Sequence, residues 1–294
     1  MPLSASLVRH LQSVTGQALV ACRSHGIGGG DINAAYRLQA AGVDWFIKTN
    51  RAELATMFAA EAAGLQELAA QRQLRVPNVV CHGSDGHQAF LALEYIELTR
   101  LHGNAAARLG QQLAALHRAP QAFFGWHIDN AIGSTPQHND RSNDWLAFWQ
   151  TIRLGKQLQF AAHNGFTGTL QRNGEKLLGV LPLFFSGYLP HPSLLHGDLW
   201  AGNAAADSQG NPVIYDPACY YGDREADLAM TELFGGFSAD FKAAYHDNYP
   251  VDPGYTVRKT LYNLYHILNH LNLFGGGYLR QAEQMIESLL SEAG

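Results

Sequence analysis

His196-Gly197-Asp198-Leu199-Trp200-Ala201-Gly202-Asn203 is the stretch on which the reading of this chain turns. It places a carboxylate, Asp198, five residues before an amide, Asn203, with a glycine beside each. A tight loop of this kind presents both groups to one ligand. The carboxylate can take a proton from a hydroxyl, and the neutral amide oxygen can bind a hard cation without adding charge. Asp and Asn are also ordinary turn residues, so the spacing alone leaves a plain turn open.

The residues that follow narrow the choice. Ala204–Ala206, the turn Asp207-Ser208-Gln209-Gly210-Asn211 and Val213-Ile214-Tyr215 read as a hairpin that ends at Asp216. Loop, hairpin and second acid together have the layout of a kinase-type catalytic segment. Asp198 is then the base, and Asn203 and Asp216 are the Mg²⁺ ligands.

Upstream, the chain offers phosphate contacts in the order such a segment needs. Gly26–Asp31 is a glycine cluster whose Gly28, Gly29 and Gly30 would turn backbone N–H groups toward phosphates. It fits neither GxGxxG nor GxxxxGK[ST], so its place, one hairpin before Lys48, carries the reading. Ala34–Leu38 and Trp45–Ile47 read as strands, and Lys48 ends the second. Residues 53–71 are strong helix formers, with Glu61 near the middle as the partner for Lys48 and Glu53 as its competitor. Val79–Cys81 and Ala89–Tyr95 read as further strands, and Glu94-Tyr95-Ile96 falls where a hinge would meet the adenine edge.

The remainder reads as helical: 104–118, 143–163, 174–188 with a break at Pro182, then 225–235, 238–247, 256–273 and 278–292. Residues 125–142 read as a long loop, a length that is often functional. The expected fold is α+β and bilobal, with a β-rich nucleotide lobe over 1–95 and a mostly α-helical catalytic and substrate lobe over 96–294.

Composition excludes several other classes. The chain has 294 residues, 47% of them hydrophobic, and a net charge of −5, so no basic field invites a nucleic acid. Its three cysteines, Cys22, Cys81 and Cys219, form no CxxC pair, and its 14 histidines include no HExxH. The N-terminus lacks a secretory h-region, and the apolar run Leu177–Leu189 is short and broken by Pro182 and Gly187. A cytoplasmic protein with no membrane partner is expected; oligomeric state is not legible.

Four stretches carry a resemblance to a known family: GGGDINAAYRL (28–38), FAAEAAGLQEL (58–68), DNAIGSTPQHN (129–139) and LLHGDLWAGN…YDPACYYGDREADLAM (194–230). The chain resembles the fructosamine/ketosamine-3-kinases, protein-kinase-like enzymes related to aminoglycoside and choline kinases. The resemblance implies a bilobal fold with ATP between the lobes. It also implies phosphorylation of the 3-hydroxyl of a ketosamine, either a small molecule or a glycated protein lysine, as a deglycation repair. Asp198 matches the family's base, Asn203 and Asp216 its metal ligands, and Lys48 with Glu61 its phosphate-binding ion pair. Asp223 stands where the family usually has His.

Trp200 occupies the position of the lysine that ordinary protein kinases carry two residues after the catalytic Asp, and Glu225 follows Asp216 by only nine residues. That leaves little room for a phosphorylated activation loop and points to a permanently assembled site. The Trp200 indole would either stack on the substrate or pack the loop. Asp129, Asn130 and His117 are further candidates for the sugar side, and Glu225 and Asp227 are expected to cap a helix and brace the catalytic loop. The competing readings are a kinase of another small alcohol (choline, homoserine or an aminoglycoside) and a non-catalytic nucleotide-binding scaffold.

Overall fold

The computed structural model describes residues 2–28 and 32–294. Helix α1 (Ala5–Thr15) starts at Ser4, whose hydroxyl accepts from Leu7 N–H, and stops at Gly16 in the left-handed conformation. Then come β1 (Arg23–Ile27), β2 (Ala34–Ala40), β3 (Val43–Arg51), α2 (Ala55–Ala70), β4 (Val79–Ser84) and β5 (Gln88–Glu94). The strands form one antiparallel sheet in the order β1-β2-β3-β5-β4. Strand β1 was not expected, because Arg-Ser-His-Gly-Ile carries no apolar alternation.

Strand parity aims the key lysine. Trp45, Ile47, Phe90 and Ala92 pack on one face with Leu7 and Leu11 of α1. Ala89, Leu91 and Leu93 turn to the other face, against Phe58 and Leu65 of α2. Successive side chains on a strand alternate, so Lys48, next to Ile47, projects to the α2 side.

The second lobe is mostly helical. It runs through β6 (Leu98–Thr99), α3 (Gly103–Arg118), the hairpin β7 (Asn130–Ile132) and β8 (Thr135–Gln137), and α4 (Trp145–Phe148). A π-helical turn (Trp149–Leu154) leads into α5 (Gly155–His163), followed by α6 (Thr169–Val180) and β9 (Ser193–Leu195). Then come β10 (Ala204–Asp207), β11 (Pro212–Ile214), β12 (Tyr220–Gly222), α7 (Glu225–Leu233), α8 (Ala239–Asn248), α9 (Tyr255–Phe274) and α10 (Leu279–Ala293). This is the expected bilobal α+β architecture.

Three details differ from expectation. The helix placed at 174–188 begins at Thr169 and ends at Val180, and Pro182 sits in the first turn of a separate 3₁₀ stretch, where its missing N–H costs nothing. The long loop 125–142 contains the β7–β8 hairpin. Strands β6, β9 and β12, at two or three residues each, are too short to show a pattern. Among the described residues, no helix is long and apolar enough to cross a membrane.

Candidate active site

Lys48, 6% exposed, reaches Glu61 on α2 at 2.7 Å and Asp216 at 2.6 Å. Burial opposes its charge, but the two facing carboxylates, Asp216 and Glu61, outweigh it and raise its pKa. Glu61 is itself pushed up by burial and by repulsion from Asp216, against the pull of Lys48. Glu53 lies in the 3₁₀ turn before α2, and the ion pair goes to Glu61.

Asp216 is held at φ +58°, a left-handed conformation rare for a residue with a side chain. Ala218 N–H, two residues on, donates to His196 O at 2.8 Å and fixes the segment to the catalytic loop. The Asp216 side chain remains 42% exposed, open to a ligand in the cleft.

The catalytic loop is pinned from both sides. Asp198 N–H donates to His196 Nδ1 at 3.2 Å, and His196 Nε2 meets Tyr215 O at 2.9 Å. These bonds specify a neutral imidazole protonated on Nε2, in keeping with burial lowering its pKa. The Asn203 amide nitrogen donates to Asp198 O at 2.9 Å and lies 3.3 Å from Asp198 Oδ2. No hydrogen bond reaches the Asn203 Oδ1 among the described residues. Burial, then repulsion from Asp216, pushes the Asp198 carboxyl up to about 7.

Asp227 on α7 clamps the loop from below. Its Oδ2 accepts from His196 N–H at 2.8 Å and its Oδ1 from Gly197 N–H at 2.9 Å. Burial works against this carboxylate, but His117, His196 and the Gly197 amide hold its pKa below the usual value. Gly197 has φ +80°, and any Cβ there would run into the Ala218 carbonyl. Glu225 plays a different part: it forms a buried ion pair with Arg258 at 2.7 Å. Asp223, not Glu225 or Asp227, serves the start of α7, accepting from Glu225 N–H at 3.1 Å and from the hydroxyls of Tyr188 and Tyr262.

Two contacts absent from the sequence reading hold α2 against the segment that follows Asp216. A Cβ on Gly64 would lie 3.2 Å from Cys219 Sγ and 3.5 Å from Pro217. One turn on, Glu67 accepts from the Tyr221 hydroxyl at 2.8 Å. The glycine was visible as an oddity in an alanine-rich helix, a place where a close packing contact is the usual cause. Nothing in the sequence marked the tyrosine.

The proposed sugar-side residues fare differently. His117 is corrected: it is fully buried, with its ring nitrogens on Tyr245 at 2.9 Å and Asp227 at 3.2 Å, so it supports the clamp and cannot reach a substrate. Asn130 is half-buried. Its amide donates to Cys219 O, and its oxygen accepts from Gln137 and Asn139, so the chain absorbs most of its capacity. Asp129 is exposed and pairs with His138 at 2.9 Å within its own hairpin. The sequence reading missed Arg153, which is fully buried, donates to His138 O and to Asn139, and lies under the rings of Phe148 and Tyr220. It ties the hairpin to the π-helical turn, an irregularity common near functional sites.

At the hinge, Glu94 N–H is taken by Asn78 O and Tyr95 N–H by Asp44 O, each within the sheet lobe. Ile96 N–H has no backbone acceptor among the described residues. Gly28 is exposed at the end of β1; Gly29 and Gly30 lie outside the described residues. Trp200 is 40% exposed and meets Phe234 edge to face at 6.3 Å.

Comparison with known proteins accords with this geometry. The fructosamine kinase family model matches residues 3–292. A Synechocystis sp. protein named as a probable ketoamine kinase is 46% identical over 290 residues, covering 97% of this chain and 96% of its own. The chloroplastic protein-ribulosamine 3-kinase of Arabidopsis thaliana is 40% identical over 291 residues, covering 98% and 89%. Among solved structures, one from Haemophilus somnus bearing the name of a fructosamine-3-kinase aligns with TM-score 0.88 and 28% identity over 97% of this chain and 96% of that one. A thermostable mutant of aminoglycoside phosphotransferase APH(4)-Ia, at 15% identity and TM-score 0.66 over 99% of both chains, shares the fold. A match along nearly the whole chain, with relatives at this identity and a kinase-type site in place, makes this protein a member of the fructosamine kinase family, a phosphotransferase acting on a hydroxyl group.

Proposed function

We propose that this protein transfers the terminal phosphoryl group of ATP to the 3-hydroxyl of a ketosamine, with deglycation as the outcome. The observation that carries the phosphotransfer is the Lys48 ammonium, fixed between Glu61 and Asp216 in one buried cluster. The names of the ketoamine and protein-ribulosamine kinase relatives support the choice of acceptor.

The residues divide the work by chemistry. Lys48, oriented by Glu61, places a positive charge where phosphate oxygens would lie. The backbone around Gly28 would cover them, and the free Ile96 N–H and neighbouring carbonyls are available to an adenine edge. The Asn203 Oδ1 and the exposed Asp216 carboxylate suit Mg²⁺, which favours oxygen donors and commonly takes one or two carboxylates plus substrate phosphates. When bound, the metal would neutralise phosphate charge. Asp198, whose carboxylate lies beside the Asn203 amide, orients the acceptor hydroxyl and takes its proton.

The test combines one variant with one substrate panel. Asp198→Asn is expected to lower kcat by about 10³-fold while ATP binding stays within a few-fold. ATP consumption is then compared for ribulose-, erythrulose- and fructose-lysine against choline and kanamycin. Full turnover by Asp198→Asn removes the assigned base. Activity confined to choline or kanamycin removes the ketosamine.

A further inference from the structure

Five rings form a row beside the catalytic loop. Trp200 meets Phe234 at 6.3 Å, Phe234 meets His270 at 5.2 Å, and His270 meets Phe274 at 5.5 Å. Tyr278 closes the far end, 5.2 Å from His270 and 6.4 Å from Phe274. The members come from the catalytic loop, the residue after α7, the end of α9 and the turn that follows. Trp200, Phe234 and Phe274 are 40, 45 and 54% exposed. Single exposed rings are ordinary, but a contiguous row bordering a catalytic loop marks a binding surface.

Main-chain contacts build the row. The Trp200 indole lies on Gly202 so closely that no Cβ would fit there. Gly236, at φ +96°, is pressed against Ala201, which clamps the turn after α7 onto the loop and keeps Phe234 beside the indole. His270 is fixed through Nδ1, which donates to His266 O at 2.7 Å.

We infer that this row is the subsite for the amine side of the ketosamine, taking its secondary ammonium and the alkyl chain attached to it. The inference rests on the ketosamine reading and adds a preference to it: adducts of long alkylamines, such as a lysine side chain, over adducts of short ones. Three features argue for this occupant. In a ketosamine the nitrogen is four bonds from the 3-oxygen, and Trp200 is two residues from the base, Asp198. Ring faces attract an ammonium, and methylenes gain by burial against them, so one surface suits both parts. The rings also lead away from the loop, from Trp200 through Phe234 and His270 to the pair Phe274 and Tyr278, an extent that suits a chain attached to the nitrogen.

The test compares ribulose adducts of methylamine, n-hexylamine and Nα-acetyl-lysine amide, using wild type, Phe234→Ala and Phe274→Ala. Wild type is expected to show a kcat/KM about tenfold higher for the hexylamine than for the methylamine adduct, with the lysine adduct tracking the hexylamine one. Each truncation should lower the hexyl-to-methyl ratio about three- to fivefold, and because the ratio is taken within one variant, losses from folding cancel. Equal ratios in wild type and variants overturn the subsite. So does a change in sedimentation with the ratio intact, which would make the row a contact between copies. Wild type that turns over none of the adducts removes the ketosamine reading itself, and the subsite with it.

Discussion

Replacing Asp227 with Asn tests whether the clamp on the His196–Asn203 loop positions Asp198, the proposed base, or only stabilises the lobe. The carboxylate accepts from His196 N–H at 2.8 Å and from Gly197 N–H at 2.9 Å. An Asn side chain can accept only one of these bonds, because its amide nitrogen would face the other donor. One buried N–H then loses its partner, at about 1–3 kcal/mol, and the surviving bond loses its charge assistance, about 1 kcal/mol more. A loss of roughly 3 kcal/mol lowers Tm by about 5–10 °C in a chain of this size. The kinetic effect is separate. Gly197 precedes Asp198, and a displacement of about 1 Å at the base costs on the order of 100-fold. Coupled ADP-release assays well below the variant's Tm should show kcat down about 30–100-fold, with KM for ATP within about threefold. A lowered Tm with kcat unchanged refutes the positioning role, and unchanged Tm refutes the clamp.

Two further outcomes are expected. Burial lowers the pKa of His266 to about 3, below its unfolded value of about 6.5, so between these values the unfolded chain binds a proton that the folded one refuses. Its stabilising effect is therefore whole above pH 6.5 and is lost at about 1.4 kcal/mol per unit as pH falls toward 3, with buried His196 acting in the same direction. Urea unfolding at pH 7 and pH 5 should differ accordingly, and His266→Gln should flatten the slope by about one proton; an unaltered slope disproves the assignment. Separately, Glu67→Gln and Tyr221→Phe should each raise KM for ATP about three- to tenfold, and the double variant should be no worse than either single one. Additive losses would mean the two residues do not act as a pair.

What could be read in the sequence follows the range of the forces involved. Lys48 was legible because strand parity and a single strong helix with a central glutamate are local patterns, and the ion pair to Glu61 needed only their juxtaposition. The meeting of Asp198 and Asn203 was legible because turn chemistry confines both within eight residues. His117 was misread because a histidine at a helix end looks the same whether it faces a cleft or, as here, is enclosed by Tyr245 and Asp227, 128 and 110 residues away. The anchoring of Asn130 was hidden for a like reason: Cys219, whose carbonyl takes its amide, lies 89 residues on. Arg153 escaped notice because a cation enclosed by rings and carbonyls has no carboxylate partner to betray it.

The short span between Asp216 and α7 has a structural consequence. In a kinase switched by phosphorylation, the helix bearing the glutamate partner of the lysine is free to swing until an activation loop is ordered. Here α2 has little freedom to swing. Gly64 lies against Cys219 and Pro217, and Glu67 holds Tyr221, so the helix that carries Glu61 is packed over two turns on the segment that carries Asp216. That segment is in turn bonded to His196 through Ala218, and His196 and Gly197 to Asp227. Glu61, the segment that carries Asp216 and the loop that carries Asp198 thus form one connected body. Moving α2 outward would leave the buried Lys48 with a single carboxylate and break the Glu67–Tyr221 bond at the same time, which opposes any inactive arrangement. The site is therefore built to stay assembled, and selection among substrates falls to the surfaces around the catalytic loop, where Trp200 stands exposed.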